Sequence, residues 1–246
     1  MAYSERESKI IAILKGRQTV TNREIRERLY VSPATLRRDL HRMEEKGLIT
    51  RLHGSCRLNY RISEEAAPKE YREQIAYAET QKIAKAASGL IRNGDVLFLD
   101  GSDTSYGLIP FLGGLKDLIV ITNGVKNAYL LAEMGIQTIV TGGRIVDGSF
   151  SMVGREAVTS VRNYNADIAF ISASMLSTAG DLSTELMEEG DVRREMILHA
   201  RKRVLLIESR KFYGSAFMNY SNLSEIDEMI TETAVPEMFR SKLRKN

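Results

Sequence analysis

The chain has 246 residues, enough for one large and one small domain, and its 43% hydrophobic and 27% charged residues are those of an ordinary globular protein. No apolar run approaches the roughly 20 residues of a membrane span, the charged start "MAYSERESKI" lacks a secretory h-region, and the lone Cys56 excludes an internal disulfide framework and points to a reducing cytoplasm. The net charge of +3 conceals an asymmetry: residues 1–62 carry 14 Lys+Arg against 7 Asp+Glu, whereas residues 63–246 carry the other 21 against 25, so the first quarter suits a polyanion and the rest another task.

In chain order, Ile10, Ile13 and Leu14 recur at helical spacing within residues 4–15, and Gly16 is a stop. Thr21 is an N-cap for "NREIRERL", where Ile25 and Leu29 stand four apart. In "YVSPATLRRDLHRMEEKGL", Ser32 is an N-cap and Pro33 occupies the first helical position, where its missing N–H costs nothing. Leu36, Leu40 and Met43 line one face, Thr35, Arg37, Arg38, His41 and Arg42 fall largely on others, and Gly47 ends the helix. Two helices joined tightly, the second longer and basic, form a helix-turn-helix pattern. Arginines near the start of such a helix can make bidentate bonds to guanine, and small hydroxyl residues can reach phosphates or base edges. "LITRLHGSCRLNY" then reads as a β-hairpin wing with Arg51 and His53 near its tip. The scattered histidines His41, His53 and His199 give no zinc spacing, and no metal or cofactor is expected.

"RESKIIAIL" (6–14), "SPATLRRDL" (32–40) and "GLITRLHG" (47–54), at this spacing, resemble the signature of the DeoR-type bacterial transcription regulators. One departure is Ser55, where that family usually has a second glycine; a serine can also enter a turn. The resemblance implies a winged helix-turn-helix domain over residues 1–60 that binds double-stranded operator DNA. Ser32, Thr35, Arg37, Arg38, Arg42, Arg51 and His53 are its expected contacts.

Residues 61–75 are expected to form a polar linker, and residues 76–246 an α/β domain. Apolar strands are predicted at 96–100, 118–122, 137–141, 168–172 and 203–208, with helices around 105–112, 124–134, 153–162 and 185–200. Continuous apolar strands alternating with helices indicate a mostly parallel sheet covered on both faces. Ligands of such sheets bind beyond the carboxyl ends of the strands. Asp100-Gly101-Ser102-Asp103-Thr104, Thr122-Asn123, Gly142-Gly143-Arg144 and Lys211 follow successive strands and suit a small polar, anionic ligand. Asp167, at the start of its strand, joins the candidate set.

"NGDVLFLDGSDT", "IVITN", "TGGRI", "NADIAFIS" and "ESRKF" extend the resemblance to the sensor domain of the same regulators, which is similar to the ribose-5-phosphate isomerase and CoA-transferase-like fold. The resemblance implies a phosphorylated sugar effector, control of carbohydrate genes, most often by repression, and a homo-oligomer, dimeric or tetrameric. The family more often has Ser or Thr at Asp103, Asp then Ser-Ser-Lys at Glu208-Ser209-Arg210-Lys211, and Lys at Arg193. Three roles fit Asp103: capping the helix that starts near Thr104, binding sugar hydroxyls, or ending phosphate binding. Two alternatives to the sensor stand beside it: a sugar-phosphate isomerase-like enzyme, and a domain that only oligomerises. Nothing in the sequence places a carboxylate–lysine set for isomerisation, and no hydrolase, zincin, P-loop or dinucleotide motif is present.

Overall fold

Helix α1 (Glu5–Leu14), strand β1 (Val20–Thr21), helices α2 (Asn22–Leu29) and α3 (Pro33–Glu45), and strands β2 (Ile49–Leu52) and β3 (Ser55–Leu58) open the computed structural model. The structure describes residues 5–14, 19–45, 49–52, 54–58 and 69–244; Gly16, Gly47, His53 and residues 61–68 of the expected linker lie outside them. The chain divides into two compact units, residues 1–76 and 77–246.

In the first unit, Ile10 and Leu14 of α1, Ile25 of α2 and Leu36, Leu40 and Met43 of α3 bury one face each into a common core with Val20, Ile49 and Cys56. Full burial of each such side chain contributes about 1.5–3 kcal/mol before cavity terms. Burial also pushes the Cys56 thiol up to about 11, so it is an inert core residue. The hairpin is short: Leu52 pairs with Ser55, and Gly54 turns it at φ 72°. Ser55 lies within β3, opposite Thr21, so the turn needs no second glycine. The central position of β3 joins β1 to β2 and ties the wing to the entry of α2.

The second unit begins within α4 (Lys69–Ser88), so residues 69–75 of the expected linker are helical. Then follow β4 (Val96–Leu99), α5 (Asp103–Tyr106), a 3-10 turn at Ile109–Leu112, β5 (Ile119–Thr122), α6 (Val125–Glu133) and β6 (Gln137–Val140). A small hairpin, β7 (Arg144–Ile145) and β8 (Met152–Val153), precedes α7 (Arg155–Arg162) and β9 (Ala166–Ile171). Strands β10 (Met175–Leu176) and β11 (Asp181–Thr184), α8 (Met187–Leu198), β12 (Ala200–Leu206), β13 (Met218–Asn222), β14 (Glu228–Ile230) and α9 (Glu237–Arg240) complete the unit.

Six strands form one parallel sheet in the order β14-β12-β9-β4-β5-β6. Alternation divides its side chains between two cores. Phe98, Ile121, Ala169, Ile171 and Leu205 face α7 and α8. Leu97, Leu99, Val120, Phe170 and Val204 face α4, α6 and the 3-10 turn. All five expected strands are present; β14, the hairpin β7-β8 and the antiparallel sheet β10-β11-β13 are additional. No described helix is long and apolar enough to cross a membrane.

Candidate functional site

The first candidate surface is α3. Its start is fixed by Ser32, whose Oγ accepts the Thr35 N–H at 3.2 Å and lies 2.9 Å from Thr35 Oγ1. Thr21 caps α2 in the same way, accepting from Glu24 N at 3.2 Å. Asp39 is buried in the middle of α3 and binds Arg6 of α1 through two bonds, 2.7 and 3.2 Å, and Arg42 one turn on. Burial alone would raise the Asp39 carboxyl, but hydrogen bonds and charge from Arg6 and Arg42 outweigh it and hold it below its ordinary value. Glu44 accepts the Arg51 N–H at 3.2 Å and faces its guanidinium at 3.5 Å.

The carboxylates of α3 that could have neutralised Arg37 and Arg38 are therefore engaged elsewhere. Both arginines are exposed, and among the described residues neither has an ion-pair partner; Arg38 Nε only approaches its own helix at the Ala34 carbonyl, 3.4 Å away. Of the other expected contacts, Ser32 and Thr35 flank them on the first turn, whereas Arg42 and Arg51 carry internal carboxylate partners.

The second candidate surface is the carboxyl rim of the parallel sheet, built around Asp100. This carboxylate is fully buried, and its two oxygens are shared among several donors. Oδ1 accepts from Ser102 Oγ (2.6 Å), Ser102 N (3.3 Å) and Ser105 Oγ, and Oδ2 from Ser172 N, Ser172 Oγ and Arg193 Nε, each at 2.9 Å. Burial would raise the Asp100 carboxyl; the Arg193 charge and these hydrogen bonds hold it below its ordinary value. Arg193 reaches in from α8, and its remaining nitrogens donate to Thr184 Oγ1 at 3.1 Å and Glu189 Oε2 at 3.3 Å. Asp100 is thus the hub of the rim, with its lone pairs occupied by the chain itself.

The neighbouring loops are locked onto this hub. Thr122 Oγ1 accepts from Gly124 N at 3.0 Å and from Asn127 Nδ2 at 3.2 Å, and the same amide nitrogen donates to the Asp100 carbonyl at 2.8 Å. Gly101 and Gly124 come so close that a Cβ on Gly124 would lie 2.9 Å from Gly101 Cα, and one on Gly101 would lie 2.4 Å from Ser151 Oγ. Asn123 is buried: Nδ2 donates to the Met152 carbonyl at 3.0 Å, and among the described residues Oδ1 has no hydrogen-bond partner. Gly142 and Gly143 are more than a loose turn, with φ of 73° and 108°; a Cβ on Gly143 would meet the Val153 carbonyl at 2.4 Å.

Several expected ligand groups have internal partners. Ser102 caps α5, accepting from Ser105 N at 3.1 Å, so Asp103 is not the cap. Asp103 stands in the first turn with its side chain 93% exposed, 3.9 Å from Lys126 Nζ, and Lys126 in turn lies 4.7 Å from the centre of the Phe150 ring. The Thr104 hydroxyl is buried and donates to Glu208 at 3.2 Å, and Lys211 pairs with Glu208 at 2.6 Å. Arg144 pairs with Glu188 at the start of α8. Asp167 does not belong to the rim. It lies at the opposite end of the sheet, accepting from Val96 N at 2.9 Å and pairing with Arg201 at 3.2 Å, because a residue at the start of a parallel strand lies at the amino edge.

Sequence reasoning named Arg193 only as a departure from the family and passed over Ser105, Asn127 and Ser151. A signal for Arg193 existed: it stands three and four residues before Met196 and Ile197, on a stripe that buries, so its charge requires a partner.

A family model described as "DeoR-like helix-turn-helix domain" matches residues 6–61, and one described as "DeoR C terminal sensor domain" matches residues 75–233. The chain belongs to the DeoR family. It is thus a DNA-binding transcriptional regulator of the DeoR type, with a helix-turn-helix domain followed by a parallel-sheet α/β domain. It is 33% identical over 236 residues to the uncharacterized HTH-type transcriptional regulator YgbI of Escherichia coli K12, covering 95% of this chain and 91% of that one. It is 30% identical to the HTH-type transcriptional repressor GlcR of Bacillus subtilis 168, covering 100% and 95% of the two chains. It is 27% identical to the glycerol-3-phosphate regulon repressor of Escherichia coli K12, covering 96% and 93%.

Among solved structures, the fold is similar to eIF2B delta from Chaetomium thermophilum, at a TM-score of 0.50, 17% identity and coverage of 69% of this chain and 65% of that one. A ribose-5-phosphate isomerase in complex with phospho-erythronic acid gives a TM-score of 0.41 at 17% identity, covering 54% of this chain and about half of that one, 52%.

Proposed function

We propose that this DeoR-type regulator is a repressor of carbohydrate-metabolism genes that reads its operator through Arg37 and Arg38 and responds to a phosphorylated sugar at the rim of its parallel sheet. The observation that carries the first half is the charge accounting on α3. Asp39 and Glu44 are held by Arg6, Arg42 and Arg51, and Arg37 and Arg38 stand exposed with no carboxylate partner among the described residues. Exposed guanidinium forks at the start of a recognition helix suit guanine edges and phosphates, with Ser32 and Thr35 beside them. Arg42 and Arg51 then act mainly as braces, and any DNA contact they make shares a charge already paired.

For the effector half, the hydroxyls of Ser102 and Thr104 and the Asp100 carboxylate are consumed internally, so the anion is held by side-chain cations, with Lys126 in the leading place. Asp103 is a built-in competitor for Lys126. The buried Asn123 Oδ1, without a hydrogen-bond partner among the described residues, is an acceptor that a sugar hydroxyl would satisfy. The names of GlcR and of the glycerol-3-phosphate regulon repressor support a carbohydrate-linked role. An isomerase needs a carboxylate base held in a site; Asp100 and Glu208 are buried and engaged, and Asp103 is exposed beside Lys126, which favours a sensor over an enzyme.

Effector binding changes operator affinity by favouring one of two forms of a homo-oligomer. Thermal-shift screening of the full chain against a panel of sugar phosphates tests the sensor: a saturable stabilisation by one of them is expected, and none by any would leave the unit as an oligomerisation body. Turnover of a sugar phosphate would overturn the regulator-only reading.

A further inference from the structure

Tyr30 closes α2 in the left-handed region, at φ 52° and ψ 43°, with its N–H donating to the Arg26 carbonyl. That conformation crowds the Cβ of any L-residue and is least suited to a bulky one; glycine or asparagine would make the same turn with less strain. Strain of this kind persists where something compensates for it. The backbone bond to Arg26 offsets part of that cost, but the side chain does not: it is 95% exposed and, among the described residues, makes no hydrogen bond or ring contact. An aromatic ring of this size in open water gains nothing from packing, and its location suggests another use. It stands two residues before Ser32, the cap of α3, and therefore at the entry to the helix that presents Ser32, Thr35, Arg37 and Arg38.

We propose that Tyr30 is a further DNA contact, its phenol O–H donating to a backbone phosphate oxygen beside the bases that α3 reads. Tyrosine is among the neutral side chains that hold phosphate oxygens and so fix the register of a protein on the duplex without carrying sequence information. A neutral donor releases no counterion, which separates its signature from that of an arginine. The proposal rests on α3 being the recognition helix, and the test distinguishes the two.

The probe is a duplex selected by the full chain from a random-sequence pool, with a scrambled duplex of equal length beside it. Tyr30→Phe removes only the hydroxyl. It is expected to weaken binding about fivefold to tenfold on both duplexes, leaving their affinity ratio and the salt slope unchanged. Tyr30→Gly removes the strain as well, and is expected to bind at least as weakly while keeping the thermal midpoint or raising it. Arg38→Ala is the control for α3 and should reduce the preference for the selected duplex. Parent-like binding by Tyr30→Phe, with Arg38→Ala impaired, would overturn the Tyr30 contact and leave α3 in place. Parent-like binding by both would overturn both assignments. Weakening by Tyr30→Phe on the selected duplex alone would overturn the phosphate contact in favour of a base contact.

Discussion

On α3, the carboxylates Asp39 and Glu44 are held by Arg6, Arg42 and Arg51, and Arg37 and Arg38 are left facing solvent. At the sheet rim, Asp100 and Glu208 hold Arg193 and Lys211, and the surrounding serines and threonines close the same network. The two regions draw on one set of residue types and differ in which charges remain unpaired. An exposed arginine is well solvated, so leaving it unpaired costs little and keeps it available to phosphate and guanine. A buried arginine has no such freedom and must find a carboxylate. Composition therefore points to a binding surface on α3, whereas at the rim similar residues build a scaffold that leaves outer groups such as Lys126, Asp103 and Arg144 facing solvent, the last already paired with Glu188.

The largest expected effect comes from breaking that scaffold. Arg193→Ala leaves the buried Asp100 carboxylate without its cation, and Asp100→Ala leaves the buried Arg193 with Glu189 alone; each should destabilise the second unit, the first by about 3–5 kcal/mol, read from chemical denaturation. The paired variant with both removed should recover part of the loss; equal or greater loss would contradict a coupled pair. Gly143→Ala combines a φ of 108° with a contact at 2.4 Å from the Val153 carbonyl, and should cost about 1–3 kcal/mol in the same measurement.

Acid acts on both regions, more gently than these substitutions. Asp39 has a folded value depressed below its unfolded one, so its contribution is present above the unfolded value near pH 3.9 and is lost as pH falls through the depressed value. Asp39→Asn should therefore lower stability at neutral pH, and its difference from the parent should shrink below about pH 4; a difference independent of pH would show that the ion pairs do not carry the effect.

The smallest effect is expected at Asp103. Asp103→Ser frees Lys126 from an exposed pair, and should strengthen binding of a responding sugar phosphate by about 0.2–1 kcal/mol in calorimetry. Weaker binding would instead place the carboxylate on the sugar hydroxyls.

Legibility followed locality. Ser32, Pro33 and the stripe Leu36, Leu40, Met43 define α3 within a dozen residues, and the five apolar strands are nearly self-announcing. β13, Met218–Asn222, was invisible because its sequence is mostly polar and its strand character comes from pairing with β11. β14 is three residues long and takes its place from β12. The rim's chemistry was legible as a set of residue types but not as a set of partners. That Arg193 meets Asp100 across 93 residues, or that Ser102 and not Asp103 caps α5, depends on contacts that no local pattern encodes. Asp167 shows the reverse: its position at the start of β9 already placed it at the wrong edge of a parallel sheet.

The most direct measurement is the affinity of the full chain and of Arg38→Ala for a selected duplex and a scrambled one, each titrated between about 50 and 200 mM salt. A steep fall with salt for the parent is expected on both duplexes, together with a loss of about 1–3 kcal/mol by Arg38→Ala on the selected duplex and a smaller one on the scrambled duplex. Salt-independent binding, or an Arg38→Ala variant that still prefers the selected duplex as strongly as the parent, would contradict the assignment of α3 as the surface that reads the operator.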